Sequence, residues 1–359
     1  MSGYDLVNET FESNYIRSFH LATGRFSSVP GSHPNTGNQL FSSLRHQVKG
    51  RPIPKGGSGM LPTALGRVIE ANGGVIQTNM PVEQLIIEKG KCVGVECTDG
   101  TQYRARKSVV STIHIKHLMK MAPTNLWGDD FVENVRLIQP EHAMFAFHYA
   151  LSEAPKFELA DGSTISPAES ALLSSPERIL LADYEHATGK LNLDDLPLQV
   201  VCPSIGDPTR APAGHHTLKL LGNLPYALEE GPQHWDNIKA DVAKKVFDNF
   251  KAFCPNLTED KILGEFIMSP IDIERMNPAM WRASVHAFSY GAAHSGDMRP
   301  VPGWSEYRMP IPGLYQTGSC TAPGGSVRGA PGRNAAAVIL QDHGSSIEEA
   351  VSGPAQVRL

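Results

Sequence analysis

Between Met60 and Ala71 the apolar residues Leu61, Leu65, Val68 and Ile69 recur at a helical period, which predicts a helix of about ten residues after a glycine turn at Gly56–Gly59. Asn72-Gly73-Gly74 ends it. Beyond it the period changes from 3.6 to 2. VIQTN (Val75–Asn79) reads as a strand, followed by Met80-Pro81-Val82 and a β-meander made of QLIIEKG, KCVGVECTDG and TQYRARKSVVSTI. Its turns are Gly90-Lys91 and Asp99-Gly100, the second a strong hairpin signal. SVVSTI is apolar enough to predict a strand buried on both faces.

From about Gln139 to Pro300 the pattern alternates between the two periods. HAMFAFHYAL, RILLADY, LQVVCPSI and HTLKLLGNLP predict strands. HWDNIKADVAKKVFDNFKAF predicts an amphipathic helix with Trp235, Ile238, Val242, Val246 and Phe250 on one stripe. A short helix and a strand follow between Asn256 and Asp272. The sum is an antiparallel sheet with covering helices. Residues 1–50, by contrast, are polar and loop-rich, with isolated apolar pairs such as Tyr15-Ile16 and Leu40-Phe41, too few to fold alone. They are expected to dock on something else.

Near the end, PIPGLYQTGSCTAPGGSVRGAPGRNAAAVILQD predicts a strand (Leu314–Thr317), a glycine-rich loop and a helix from about Pro331. Gly318, Gly324, Gly325, Gly329 and Gly332 allow the backbone to approach a ligand where a Cβ would collide. Pro331 suits a first helical turn, whose unpaired N–H groups carry partial positive charge. This is the pattern of a cofactor cradle, although an ordinary strand–turn–helix with loose glycine usage has the same outline. The complementary signature, a strand followed by G-x-G-x-x-G and an acidic residue about 20 positions on, is absent from the 359 residues.

Composition narrows the classes without deciding among them. The hydrophobic share of 41% and charged share of 19% fit a soluble globular protein of one large or two smaller domains. A net charge of −5 without long runs of one sign offers no electrostatic footprint for nucleic acid. No apolar run is long enough for a membrane span, and the polar start MSGYDLVNETFESN is no signal peptide. Five scattered cysteines without C-x-x-C read as reduced thiols in a cytoplasmic protein. Cys92 and Cys97 fall on opposite faces of one strand, which argues against a shared metal.

Taken in order, PKGGSGMLPTALGRVIEANGGVIQTNMPVEQLII, VGVECTDGTQYRARKSVVSTI, GDMRPVPGWSEYRMPIPGLYQTGS and PGGSVRGAPGRNAA resemble the phytoene-dehydrogenase-like family of FAD-dependent oxidoreductases, which includes carotenoid desaturases and isomerases. The resemblance spans about Lys55 to Asp342 and is strongest at its two ends. It implies a mixed α/β two-dinucleotide-binding-domain flavoprotein fold with a β-meander and an inserted antiparallel-sheet substrate domain. In that scheme residues 1–50 are a docking segment and 51–135 part of the FAD domain. Residues 136–300 form the substrate domain, 301–345 return to the FAD domain with its cofactor loop and helix, and 346–359 are a tail. The implied cofactor is FAD. Val82 would lie beside its adenine; Gly318, Ser319, Gly324, Gly325 and Ser326 would line the ribityl–flavin end; Gly57 would approach the flavin ring. The helix that contains Gly332 would aim its dipole at the pyrimidine edge. Ser326 departs from the family, standing where many relatives have a third glycine.

The resemblance also implies that the fold is incomplete here, because the N-terminal FAD-binding βαβ unit with its diphosphate-binding turn has no counterpart in this sequence. Three explanations stand side by side. A partner chain supplies that unit to a split enzyme; the sequence is truncated; or the chain is a non-catalytic binding or escort relative, as Rab GDP-dissociation inhibitors are on this fold.

For chemistry, no nucleophile signature such as G-x-S-x-G is present. His114 and His117 at i, i+3 spacing lack a third ligand and read as surface histidines; His215-His216 reads as a solvated turn. Flavin dehydrogenation asks little of the protein beyond aiming a C–H bond and accepting a proton. The local candidates lie in ASVHAFSYGAAHSGDMRP: His286 as general base, Tyr290 as hydrogen-bond partner of substrate, and Arg299 as ligand of a carboxylate or flavin oxygen. Core packing or loop pinning is the plain alternative for each. The expected activity is dehydrogenation of a small organic substrate, or flavin-dependent isomerisation, by a cytoplasmic heteromer.

Overall fold

The computed structural model describes residues 1–25, 30–34, 36–37, 52–325, 327 and 329–352. The chain divides into two compact units. One is drawn from residues 1–60, 141–278 and 282–284, the other from 61–140, 279–281 and 285–359. The first unit therefore includes the segment before residue 60. The second includes 285–300, which the sequence groups with the substrate domain.

In the first unit the N-terminal stretch is helical, contrary to expectation. Helix α1 (Gly3–Thr10) is started by a capping box in which Ser2 Oγ accepts from the Asp5 N–H and the Asp5 carboxylate accepts from the Ser2 N–H. With α2 (Asn14–Arg25) it buries Val7, Leu21 and Ala22 around Ile179. A few apolar residues suffice because a larger body receives them. Residues 26–29, 35 and 38–50 of the expected docking segment, including Leu40-Phe41, lie outside the described residues.

The second unit begins with α3 (Met60–Ala71), as the period requires, but none of its residues is buried and Leu65 remains 55% exposed. Val75–Asn79 forms no strand; Val75 is exposed. The meander is present: β1 (Val82–Glu88), β2 (Lys91–Cys97) and β3 (Gln102–Arg104) pair antiparallel in that order. Gly94 is needed there, since a Cβ would stand 2.3 Å from the Tyr103 carbonyl oxygen. SVVSTI contributes only β4 (Val109–Ser111), and Val110 is 47% exposed, so burial on both faces does not hold in the described residues. Helices α4 (Ile115–Leu118) and α5 (Asp129–Arg136) close the core with Ile115, Leu118, Phe131 and Val135.

The chain then returns to the first unit. Strand β5 (Met144–Leu151) is followed by the two-residue pair β6 (Phe157–Glu158) and β7 (Thr164–Ile165), then by β8 (Glu169–Leu172). RILLADY is not a strand but the heart of α6 (Pro176–Thr188). Ser175 caps it, Pro176 opens it and Gly189 closes it in the left-handed conformation, φ 77°. These end signals outweigh a local apolar run. With β9 (Leu198–Val201), β10 (His216–Asn223) and β11 (Ile262–Met268), a five-stranded antiparallel sheet forms in the order β11-β5-β10-β9-β8. Helix α7 (Trp235–Lys251) covers one face, packing Val242, Val246 and Phe250 onto Phe145, Phe147 and Leu220. Each such side chain contributes roughly 1.5–3 kcal/mol by leaving water. Helix α8 (Pro270–Met276) completes the unit.

Strand β12 (Leu314–Gln316) pairs parallel with β4, Leu314 opposite Val109. Helix α9 (Ala330–Asp342), with Pro331 in its first turn, and α10 (Ile347–Ser352) end the second unit. Among the described residues no helix is long and apolar enough to cross a membrane. All five cysteines are buried free thiols.

Candidate functional site

The site grows from the carboxyl end of β12. Thr317 N–H bonds to the Ser111 carbonyl at 2.9 Å, and the chain turns at Gly318 with φ 82°, a conformation only glycine adopts without strain. A Cβ there would touch Thr112 at 3.6 Å, so the turn brings β12 beside the end of β4. Thr321 closes the turn through its N–H and Oγ1, both 3.1 Å from the Gly318 carbonyl.

Gly324 and Gly325 come next, and two of the expected catalytic side chains stand over them. At Gly324, φ 91°, an added Cβ would lie 2.1 Å from Tyr290 Oη; at Gly325 it would lie 3.2 Å from His286 Cα and 3.3 Å from its Cδ2. The rings of His286 and Tyr290 meet edge to face at 5.3 Å. The structure thus gathers His286, Tyr290, Gly324 and Gly325 into one half-buried cluster.

Arg299 belongs to the cluster in a different role from the one expected. It is buried, and its five N–H donors meet four backbone carbonyls. Nε and Nη2 donate to Ser319 O at 3.0 and 2.6 Å, Nη2 also to His286 O at 2.7 Å, and Nη1 to Ser289 O and His294 O at 3.1 Å. The guanidinium lies 3.9 Å from the Phe288 ring centroid and 4.6 Å from that of Tyr290. With its donors spent on carbonyls it is a strut between Ser319 and the segment carrying His286 and Tyr290, rather than a ligand of a carboxylate.

Three further residues support the site without a signal in the sequence that would mark them. His114 is not at the surface: it is fully buried against Trp281 and Phe288. Its Nδ1 accepts from the Lys116 N–H at 3.2 Å, so Nε2–H is the side that donates to the Ala287 carbonyl, 3.1 Å away. Burial, and then the His117 charge, push its pKa down to about 3, so the ring is neutral. Tyr307 donates to the Ala322 carbonyl at 2.7 Å and accepts from Asn334 Nδ2 at 2.8 Å, tying α9 to the glycine loop. Asn334, one turn into the helix, directly follows the glycine-rich motif, but its partner is remote in sequence.

Helix α9 is fixed at its other end by Asp342, which takes a bidentate pair from Arg308 at 2.7 and 2.8 Å and a bond from Tyr315 Oη at 2.8 Å. Those bonds, Arg308's first, hold the Asp342 pKa down at about 2. Among the described residues no side chain caps the start of the helix, and at Gly329 and Gly332 a Cβ would meet none of them within 4 Å. With respect to the described residues, the helix N-terminus therefore presents uncapped N–H groups and open space, which fits a flat anionic ring edge. Val82 lies elsewhere in the same unit, lining a cavity of about 410 Å³ together with Leu85, Val95, Ser111 and Thr112, the last being the residue Gly318 touches. Gly57 is in the other unit, packed on Arg210. Ser326 lies outside the described residues.

The glycine loop, bare helix start and parallel strand pair suit a flavin, and sequence comparison agrees. The family described as flavin containing amine oxidoreductase matches residues 3–340. The chain belongs to this family. Among relatives of this chain, pyridine nucleotide-disulfide oxidoreductase domain-containing protein 2 of Mus musculus is 27% identical over 353 residues, covering 94% of this chain and 60% of the relative. A limonene dehydrogenase subunit of Castellaniella defragrans is 27% identical over 323 residues, 82% of this chain and 56% of that one. A neurosporene-forming phytoene desaturase of Cereibacter sphaeroides is 25% identical over 281 residues, 77% and 51%. The chain thus spans 60% or less of the length of these relatives. An oxidoreductase structure from Methanosarcina mazei shares the fold, with a TM-score of 0.56 at 17% identity, over 89% of this chain and 63% of that one. The likeness to phytoene-dehydrogenase-like flavoproteins stands, and family membership makes the cofactor a flavin.

Proposed function

We propose that the chain forms part of an FAD-dependent dehydrogenase that takes a hydride and a proton from adjacent atoms of an organic substrate. The observation that carries this reading is the placing of His286 and Tyr290 over Gly324 and Gly325, between the Gly318 turn and the uncapped start of α9. The residues that would hold the flavin are the Gly318–Ser319 and Gly324–Gly325 backbone and the first N–H groups of α9, with Val82 at the adenine end. The flavin supplies a hydride acceptor at N5. Arg299 sets the height of the His286 segment above Ser319. Tyr290 orients, and His286 takes the proton. The neutral His114 holds the neighbouring Ala287 carbonyl without adding charge beside the site.

The diphosphate-binding turn, absent from the 359 residues, is proposed to come from a second polypeptide; one relative is itself named as a subunit. Purification of the tagged chain from its native host, with an absorption spectrum and mass spectrometry of everything retained, tests both parts. A yellow complex that contains a G-x-G-x-x-G protein and bleaches with substrate is the expected result. A longer single polypeptide that is yellow would remove the second chain and keep the flavin. A colourless preparation would overturn the flavin reading.

A further inference from the structure

The face of the five-stranded sheet turned away from α7 carries its own cavity, of about 500 Å³. Register places Phe266 opposite His148, His148 opposite Lys219, and Lys219 opposite Val201. Directly paired residues share a face, so four strands contribute one row of side chains to this cavity. Ile53 and Arg210 form its wall.

Arg210 is aimed there by a loop built around it. The Asp207 carboxylate accepts from the Gly56 N–H at 2.7 Å, from the Thr209 N–H at 3.1 Å and from Thr209 Oγ1 at 2.6 Å. Gly57, φ 107°, then lies flat on the guanidinium: a Cβ would be 3.0 Å from Arg210 Cζ. The glycine at 57 is explained by this approach.

Lys219 and Arg210 are two half-buried cations on one cavity, and among the described residues neither is ion-paired. Burial first, then the Arg210 charge, lower the Lys219 pKa, and burial followed by Lys219 lowers that of His148. The carboxylates nearby are otherwise placed. Asp207 is bonded into the loop, from where its charge offsets part of that of Arg210. Glu265 is part of the cavity lining, but it is paired with Tyr149, whose ring packs under α7, so its carboxylate projects from the opposite face. Glu169 lies beyond Val201 and accepts from Gln199 at 2.6 Å. Like charges held together in a partly dry cavity raise its energy until an anion enters.

The geometry points to a binding site for an apolar carboxylate, its head group between Arg210 and Lys219 and its tail along Phe266, Val201 and Ile53. Two cations with the Glu169 carboxylate at the far side of Val201 suit a monoanion better than a dianion. That this ligand is the substrate rests on the proposed oxidoreductase function; the binding itself does not.

Isothermal titration calorimetry of decanoate into the purified full chain, with decanol, decylamine and decyl phosphate as comparisons, tests the site. Decanoate is expected to bind once per chain, and decanol and decylamine at least about tenfold more weakly, the scale of one lost charge-assisted bond. Lys219→Met and Arg210→Gln should each cost a similar factor. Gly57→Ala, which displaces Arg210 without touching its charge, should weaken decanoate as well. Lys245→Met, exposed on α7, should not. Equal binding of decanol, indifference to both charge-removing variants, or a clear preference for decyl phosphate would overturn the assignment. Because calorimetry reads binding without flavin, a colourless protein that still selects decanoate would fail the oxidoreductase reading and leave this one intact.

Discussion

At Gly324 the backbone and a neighbour make the same demand: φ is 91°, and the place of a Cβ is already taken by Tyr290 Oη at 2.1 Å. Gly324→Ala is therefore expected to cost on the order of 1–3 kcal/mol from strain alone, with overpacking added. Urea unfolding would read it, and Tyr290→Phe in the same chain should recover part of the loss. Gly332→Ala is the contrast. It sits in the first turn of α9 with none of the described residues within 4 Å of an added Cβ, so it should raise stability by about 0.5–1 kcal/mol. If α9 faces a flavin, the same change should lower flavin retention. A variant that is more stable and paler separates a ligand's requirement from a fold's. His114 supplies a pH dependence. Its folded pKa of about 3 lies below the ordinary imidazole value of 6.5, so the unfolded chain takes up a proton that the folded one refuses. Stability is complete above about pH 6.5 and falls as the pH drops toward 3, by at most roughly 1.4 kcal/mol per unit from this group. His114→Gln should flatten the fall in urea midpoint between about pH 6.5 and 5 relative to the parent. The glycines are plain in the sequence, but what stands over them is not. His286 and Tyr290 are legible because they precede the motif in a polar-aromatic stretch. His114 looks like a surface residue because burial of a histidine depends on Trp281 and Phe288, remote along the chain.

Elements are legible where end signals and period agree, and misleading where they do not. Helix α7 and the meander carry clean patterns and form as expected. In RILLADY the apolar run suggests a strand, yet Ser175-Pro176 and Gly189 flank it as cap, first turn and stop. α1 and α2 show the converse, since their apolar content is low and the deciding contact, Ile179, is on α6. The link between elements that matters most at the site is Arg299, a ligand by its sequence context and a strut by its bonds. Arg299→Met would leave four carbonyl-bearing residues without their donor and is expected to cost at least about 3 kcal/mol, the scale for breaking a buried charged network. Arg299→Lys should rescue little, because one ammonium cannot span Ser319, His286, Ser289 and His294 as a planar fork does. Thermal unfolding checks the magnitude. Amide exchange in 286–294 checks the place, and if that segment stays protected in the methionine variant the strut assignment is wrong.

On the scale of the whole molecule, each unit has its own core. Fully buried Phe147 and Trp235 belong to that of the sheet unit, and Trp127 and Phe131 to that of the meander unit. The order of segments along the chain reveals that a sheet-and-helix body interrupts the body that holds the meander and the glycine loop. It does not reveal that residues before Met60 join the sheet unit, because that grouping is made by Ile179 and by the Asp207 loop, not by any property of the N-terminal segment itself. Phe147 tests the sheet core directly. It lies on the central part of β5, between Leu220 of β10 and Ile267 of β11, with no exposure. Phe147→Ala removes the ring and leaves a cavity that strands bonded on both sides cannot collapse, so a cost of about 3–5 kcal/mol is expected. The loss should appear as faster amide exchange in 144–151 and 216–223, and as an earlier red shift of the buried Trp235 emission with urea. If decanoate occupies the opposite face of the same strands, adding it should return part of that protection, since a ligand that binds only the folded sheet stabilises it by mass action. Protection recovered with decanoate but not with decanol would connect the packing of one face to the chemistry of the other.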